Sequence, residues 1–422
     1  MPSVADLLKT TVDNGASDLH IAAGTPPQIR LRGSLVPLNF PVLSPSDTQG
    51  LCYSVITDMQ KKKFEETHEL DFSFSQKGVS RFRGNLYFDR GAVAGAFRVI
   101  PHEIPSMDTL GLPPMIREII KSPRGLVLVT GPTGSGKTTT LAAMIDAINE
   151  SRHEHIITIE DPIEYVFPHK GCLVNQREIG QDSSSFSEAL RHILREDPDI
   201  VLVGEIRDME TMEAALTIAE TGHLTFGTLH TNSAVQTISR VIDIFPPNQQ
   251  AEVRSSLSLS LIAVLSQTLI PRIDTAGRVL AAELMIPNAA IRNLIRENKI
   301  HQIYSQLQLG QEKFGMQTLN QALASLANKK IISEEDAFNR SSDIEELKQT
   351  INSGVMSKGG LTGNAGVSST KFDMSSGGAG PNAMGAINGS GLTRSGASKP
   401  DMISGHASDG EKPFSGIDFG NL

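Results

Sequence analysis

Residues 131–138 read Gly131-Pro132-Thr133-Gly134-Ser135-Gly136-Lys137-Thr138, a full match to the G-x-x-x-x-G-K-[ST] phosphate-binding loop. Gly125-Leu126-Val127-Leu128-Val129-Thr130, just before it, is an apolar, β-branched run that reads as a buried strand. Thr139 to Asn149, just after it, has helical periodicity through Leu141, Ala142, Ile145 and Ile148. Strand, glycine turn and helix in that order are what the motif needs. The glycines let backbone N–H groups from Gly131 to Thr139 turn toward phosphates with no Cβ in the way. Lys137 supplies a point charge for the β- and γ-phosphates, and the Thr138 hydroxyl is placed to ligate Mg²⁺. The chain is therefore expected to bind a nucleoside triphosphate, ATP, with Mg²⁺.

Working outward, 422 residues suggest two or three domains, and 39% apolar content is enough for ordinary cores. A formal charge of −9 argues against nucleic acid as the main partner. The two cysteines, Cys52 and Cys172, lie far apart with no C-x-x-C, which fits a reducing compartment and excludes a four-cysteine zinc site. Met1 to Thr11 lacks a basic region followed by an apolar core, so no secretory signal is read there. Leu257 to Ile270 is too short to span a bilayer, is broken by Ser258, Ser260, Ser266 and Gln267, and reads as a buried helix. These features predict a cytoplasmic protein, one that can still work against a membrane.

Residues 1–100 read as a small α/β unit. Its strands are expected at Gln28–Arg32, Arg81–Tyr87 and Ala94–Ile100, and its helices at Val4–Asn14 and Pro45–Glu66. Prolines punctuate a linker at 101–111. From 112 to 353 strands alternate with helices, which predicts a mainly parallel sheet, with strands at Leu126–Thr130, His155–Glu160, Ile200–Gly204 and Leu224–Leu229. Residues 354–422 are rich in Gly, Ser, Ala and Asn and read as a disordered tail. No tandem repeat is found.

Three further segments carry chemistry. Asp199-Ile200-Val201-Leu202-Val203-Gly204-Glu205 is a buried strand that delivers a carboxylate at its tip. Gly204 stands where many such enzymes have an aspartate, so Glu205 is the expected general base. Thr158-Ile159-Glu160-Asp161-Pro162-Ile163-Glu164 ends another strand with three carboxylates in five residues. Such crowding calls for a cation, and Glu160, Asp161 and Glu164 are candidate Mg²⁺ ligands, directly or through water. His223 and His230 flank the strand Leu224–Leu229 and are expected to sense the γ-phosphate. ATP hydrolysis at such loops usually needs arginine charge from outside. Arg81, Arg83, Arg90 and Arg98 gather on the first unit, and Arg195 and Arg207 flank the Glu205 strand. Arg83, Arg98 and Arg195 are the candidates to act in catalysis, across a domain or subunit boundary.

Taken together, Gly131–Thr138, Ile159–Glu164, Gly204-Glu205-Ile206-Arg207-Asp208 and Thr221-Gly222-His223 through His230 resemble the secretion-superfamily ATPases, the hexameric motors of type II secretion and type IV pili. Ala16-Ser17-Asp18-Leu19-His20, Arg81-Phe82-Arg83 and Phe97-Arg98-Val99-Ile100-Pro101 are similar to the PAS-like first domain of the pilus-retraction branch, and Ala290–Glu297 to its carboxyl-terminal motif. The likeness spans residues 1 to about 350. It implies a PAS-like amino-terminal domain, a RecA-like P-loop domain, and a homohexamer in which arginines of the first domain close over ATP. The implied partners are an inner-membrane pilus platform protein and an accessory retraction ATPase, at the cytoplasmic face of the membrane. Two alternatives stay open: an accessory retraction ATPase, and a nucleotide-switched scaffold recruiting partners through its tail.

Overall fold

The computed structural model describes residues 2–31, 33–100 and 103–359. The expected tail falls mostly outside the described residues. The helix Ile344–Gly359, however, runs past the position at which the tail was expected to begin.

The amino-terminal strands are β1 (Asp18–Ile21), β2 (Gln28–Leu31), β3 (Ser34–Pro37), β4 (Glu69–Gln76), β5 (Ser80–Asp89) and β6 (Ala92–Ile100). They form one six-stranded sheet in the order β3-β2-β1-β6-β5-β4, and every neighbouring pair is antiparallel. Alternation sets its two faces: Phe82, Leu86 and Phe97 are fully buried with Leu7, Leu8 and Phe64 of the helices, while Arg83 and Arg98 point away. Where one helix was expected over Pro45–Glu66 there are two, Pro45–Tyr53 and Asp58–Thr67. The restart at Thr57 has a local cause. Its hydroxyl accepts from the Gln60 N–H while the Gln60 side chain accepts from the Thr57 N–H, a reciprocal cap that begins a new helix. β3 is an outer strand of this sheet, and all four of its residues are exposed.

The second sheet holds β7 (Gly125–Thr130), β8 (His155–Glu160), β9 (Leu173–Glu178), β10 (Ile200–Val203), β11 (Leu224–Leu229), β12 (Leu261–Pro271) and β13 (Arg278–Met285). Its order is β13-β12-β7-β11-β10-β8-β9, parallel throughout except for the β12–β13 hairpin. β7, β10 and β11 are buried at every residue, as expected of strands covered by helices on both faces. The reading of Leu257–Ile270 as one buried helix is corrected: the helix Gln250–Ser260 ends there and β12 begins at Leu261. A short apolar run buried on both sides carries no period that separates strand from helix. Among the described residues no helix is long and apolar enough to cross a membrane.

Candidate active site

The carboxyl ends of β7, β8, β10 and β11 meet at one cleft of about 470 Å³. It is lined by the glycine loop, by Glu160 at the end of β8 with Asp161 and Glu164 beyond it, by Glu205 after β10 and by His230 after β11. The loop follows β7 into the helix Lys137–Ser151, so the helix N-terminus faces the cleft, where its free N–H groups and dipole favour an anion. Its path demands glycine. Gly131 has φ +144°, and a Cβ there would come within 2.3 Å of the Gln267 carbonyl oxygen. Lys137 is buried, with Nζ donating to the carbonyls of Gly131 at 2.8 Å and Pro132 at 3.2 Å. Burial lowers its pKa, opposed by the charges of Glu205 and Glu164. Ser135 Oγ is buried without a hydrogen-bond partner, a donor and acceptor held inside the loop.

Glu205 is fixed from two sides. Arg207 Nη2 donates to its Oε2 at 2.7 Å, and His230 Nε2 lies 2.9 Å from its Oε1. The Arg207 hydrogen bond, ahead of all other influences, holds the Glu205 carboxyl below its ordinary range. The backbone behind it is anchored on β11, with Thr228 Oγ1 donating to the Gly204 carbonyl at 2.6 Å and Ile206 N–H to the Thr228 carbonyl at 3.0 Å. The glycine at 204 also has a steric reason. A Cβ there would sit 3.1 Å from the Ile159 carbonyl oxygen and 3.3 Å from Glu160 Cα.

The three carboxylates at the end of β8 and beyond it do not act as one set. Glu160 is buried, and its Oε1 accepts from Thr158 Oγ1 at 2.6 Å and Gln176 Nε2 at 3.1 Å. Desolvation raises its pKa to about 7. Asp161 and Glu164 are exposed at the cleft edge. Among the described residues no three His, Cys, Asp or Glu side chains converge as a metal cage. Of the expected ligands Glu160, Asp161 and Glu164, Glu160 differs in having one carboxylate oxygen, Oε1, committed to Thr158 and Gln176. Thr138, Asp161 and Glu164 remain as hard oxygen donors on the cleft, the chemistry that suits Mg²⁺ held mainly by phosphate and water.

Other expected residues land elsewhere. His223 precedes β11, level with Gly125 at the start of β7, about 17 Å of strand from the loop. Its Nδ1 lies 3.0 Å from the Ile218 carbonyl, so only His230 of the two histidines lines the cleft. Arg195 is exposed ahead of β10, again at the amino ends of the strands. Arg83 and Arg98 are direct cross-strand partners on the open face of the first sheet, and Arg98 Nε donates to Asp18 Oδ1 at 2.8 Å. None of these three arginines lines this chain's own cleft. Sequence reading missed Arg278 and Leu269, which reach the cleft from the β12–β13 hairpin, and Gln267, whose Nε2 donates to the Ser135 carbonyl at 2.8 Å. No local pattern marks them; they arrive more than a hundred residues after the loop.

Residues 106–349 match the Type II/IV secretion system protein family. The chain is 54% identical over 334 residues to the type IV pilus retraction ATPase PilT of Pseudomonas aeruginosa, covering 79% of this chain and 96% of that protein. It is 40% identical over 348 residues to the type IV pilus ATPase PilU of the same organism, covering 82% of this chain and 92% of that one. A crystal structure of the pilus retraction motor PilT with bound ADP resembles it with a TM-score of 0.78 and 53% identity, over 83% of this chain and 100% of the other.

Proposed function

The chain belongs to the Type II/IV secretion system protein family and is an ATPase of the pilus-retraction type, and on that premise we propose that it works as a homohexameric motor at the cytoplasmic face of the inner membrane, withdrawing type IV pili for twitching motility. The observation that carries the catalytic part is Glu205, an ionised carboxylate at the cleft, held by Arg207 and His230 beside Lys137.

ATP lies with its β- and γ-phosphates on the N–H groups of Gly131–Thr139 and the Lys137 ammonium. Thr138, with Asp161 and Glu164 through water, would hold Mg²⁺, which would supply positive charge against that developing on the phosphates. Glu205 accepts a hydrogen bond from the attacking water. As the water oxygen bonds to the γ-phosphorus and the bond to the β–γ bridging oxygen breaks, Glu205 takes the water proton. His230, bonded to the same carboxylate, registers the change in charge there.

Arg83 and Arg98 are exposed on the first sheet and do not line this chain's cleft, which supports their acting on the nucleotide of a neighbouring copy. His223 and Arg195, at the far ends of the strands, take no part in this chain's own cleft in this reading. The platform protein at the filament base is the partner that receives the work, with an accessory retraction ATPase as a second. The identity of 54% to PilT against 40% to PilU of one organism favours the motor over its accessory relative.

The test is a pair of variants. Lys137→Ala is expected to lose ATP binding. Glu205→Gln keeps shape and is expected to bind ATP while hydrolysing it at least a hundredfold more slowly. A deletion strain complemented with either variant should carry excess surface pili and fail to spread by twitching. Bald cells, or near-normal turnover by Glu205→Gln, would overturn the assignment.

A further inference from the structure

Among the buried carboxylates that the chemistry of the cleft does not use, one touches both the cleft wall and the amino-terminal sheet. Glu178, the last residue of β9, is almost fully buried and lies in register beside Glu160. Its Oε2 accepts from the Ile163 N–H at 3.2 Å and from Arg81 Nη2 at 2.8 Å. Its Oε1 accepts from Gln181 Nε2 at 2.8 Å and from Ser73 Oγ. Arg81 Nη2 also donates to Ser73 Oγ at 2.7 Å. Ile163 belongs to the acidic loop, between Pro162 and Glu164 on the cleft wall, whereas Ser73 and Arg81 belong to β4 and β5 of the amino-terminal sheet. One carboxylate thus bonds the wall of the nucleotide cleft and the amino-terminal sheet at once.

We propose that Glu178, with Arg81 as its counter-ion, is the positioning residue that couples the acidic loop to the amino-terminal domain, so that a shift of that loop when nucleotide changes is delivered to the sheet carrying Arg83 and Arg98. The inference rests on the ATPase reading above. Arg81 is thereby separated from Arg83: two residues apart on one strand and on the same face, one anchors the sheet to its own chain's cleft wall and the other is exposed. The anchor is stiff for a physical reason. A buried carboxylate with four donors cannot give one up without leaving a desolvated charge partly unpaired, which costs more than an exposed ion pair ever returns. The neighbouring Gln176 braces the same loop from below, its Oε1 accepting from the Phe167 N–H at 2.8 Å and its Nε2 donating to the Tyr165 carbonyl at 2.8 Å. The loop therefore moves as a unit, and Glu178 is its link to β4 and β5.

The experiment uses the full chain with fluorophores on Met59→Cys and Leu309→Cys, sites 82% and 79% exposed, since Cys52 and Cys172 are buried. Energy transfer is read with no nucleotide, ADP and a non-hydrolysable ATP analogue, beside steady-state ATPase kinetics. The otherwise wild-type chain is expected to change transfer between nucleotide states. Arg81→Ala is expected to reduce that change at least twofold while KM for ATP stays within about twofold, because Arg81 does not line the cleft. Arg81→Lys, which keeps a charge but not the planar fork, and Ser73→Ala, which removes one donor, should fall between, and they carry the test if Arg81→Ala fails to fold. A full transfer change in Arg81→Ala, no change in the parent chain, or a KM raised more than tenfold with the change intact would each overturn the coupling. If the parent chain fails to hydrolyse ATP at all, the ATPase reading falls instead.

Discussion

Arg292 and Arg296 lie four apart on the helix Ala289–Arg296, inside the segment that resembles the family's carboxyl-terminal motif, yet they sit in different surroundings. The Arg292 guanidinium donates to the Ser258 and Leu259 carbonyls, the last groups of the helix Gln250–Ser260, which has no further turn to satisfy them. Burial lowers the Arg292 pKa. Arg296 is exposed, and its Nη2 donates to Asn293 Oδ1 within its own helix at 3.3 Å. Arg292→Ala deletes two charge-assisted hydrogen bonds worth about 1.5–3 kcal/mol each, though the carbonyl of exposed Leu259 is rehydrated and that part is recovered. A net loss of about 2 kcal/mol follows, or roughly 4 °C in melting temperature. Arg296→Ala should stay within about 0.5 kcal/mol. Thermal scans of Arg292→Ala, Arg296→Ala and Arg292→Lys decide the matter, with ATPase assays at 25 °C kept well below the transition. Equal midpoints for the two alanine variants would refute the capping argument.

With Arg292 assigned to the fold, Arg296→Ala becomes the cleaner probe of motor output: it should hydrolyse ATP normally and abolish pilus retraction in cells, and intact twitching would remove the segment's charge from the mechanism. Glu160 has its pKa raised to about 7 from 4.5, so its contribution to stability is complete below pH 4.5 and is lost as pH rises through 7. Glu160→Gln keeps an acceptor for Thr158 and Gln176, and between pH 5 and 8 in a magnesium chelator its melting temperature should fall less than that of the parent chain. Arg83→Ala should lose ATP turnover at least tenfold while keeping its melting temperature, as an exposed side chain allows; Arg98→Ala should lose turnover likewise but also lower the melting temperature, because it strips a charged donor from buried Asp18. Mixing Arg83→Ala with Lys137→Ala subunits should restore part of the activity, since some sites then combine an intact loop with an intact neighbouring arginine. No recovery on mixing would place Arg83 in its own chain's site.

What could be read in the sequence was whatever chemistry is local. The glycine loop, the tip carboxylate Glu205 and the acid-rich end of β8 each declare themselves within eight residues, because one strand end must present several groups together. His230 was legible by the same logic, but His223 was not, since position along a strand fixes which end of the sheet a residue reaches. Residues brought in by topology left no mark: Gln267, Arg278 and Glu178 reach the loop, the cleft and the cleft wall through pairing of distant strands. The division of labour among the three β8 carboxylates was also hidden, because it depends on Thr158 and on Gln176 across the β8–β9 pair.

The outer strand β3 bears on how this protein behaves in concentrated solution. An unpartnered strand edge offers a row of amide donors and carbonyl acceptors that an extended segment of any chain can template upon, and here Leu35 and Val36 add greasy side chains 47% and 40% exposed. Two devices blunt it. The strand is four residues long, too short to hold a guest, and it ends in Pro37, which has no amide hydrogen to offer. Extending this edge by replacing Pro37 would turn a benign rim into a seed for fibrous self-association.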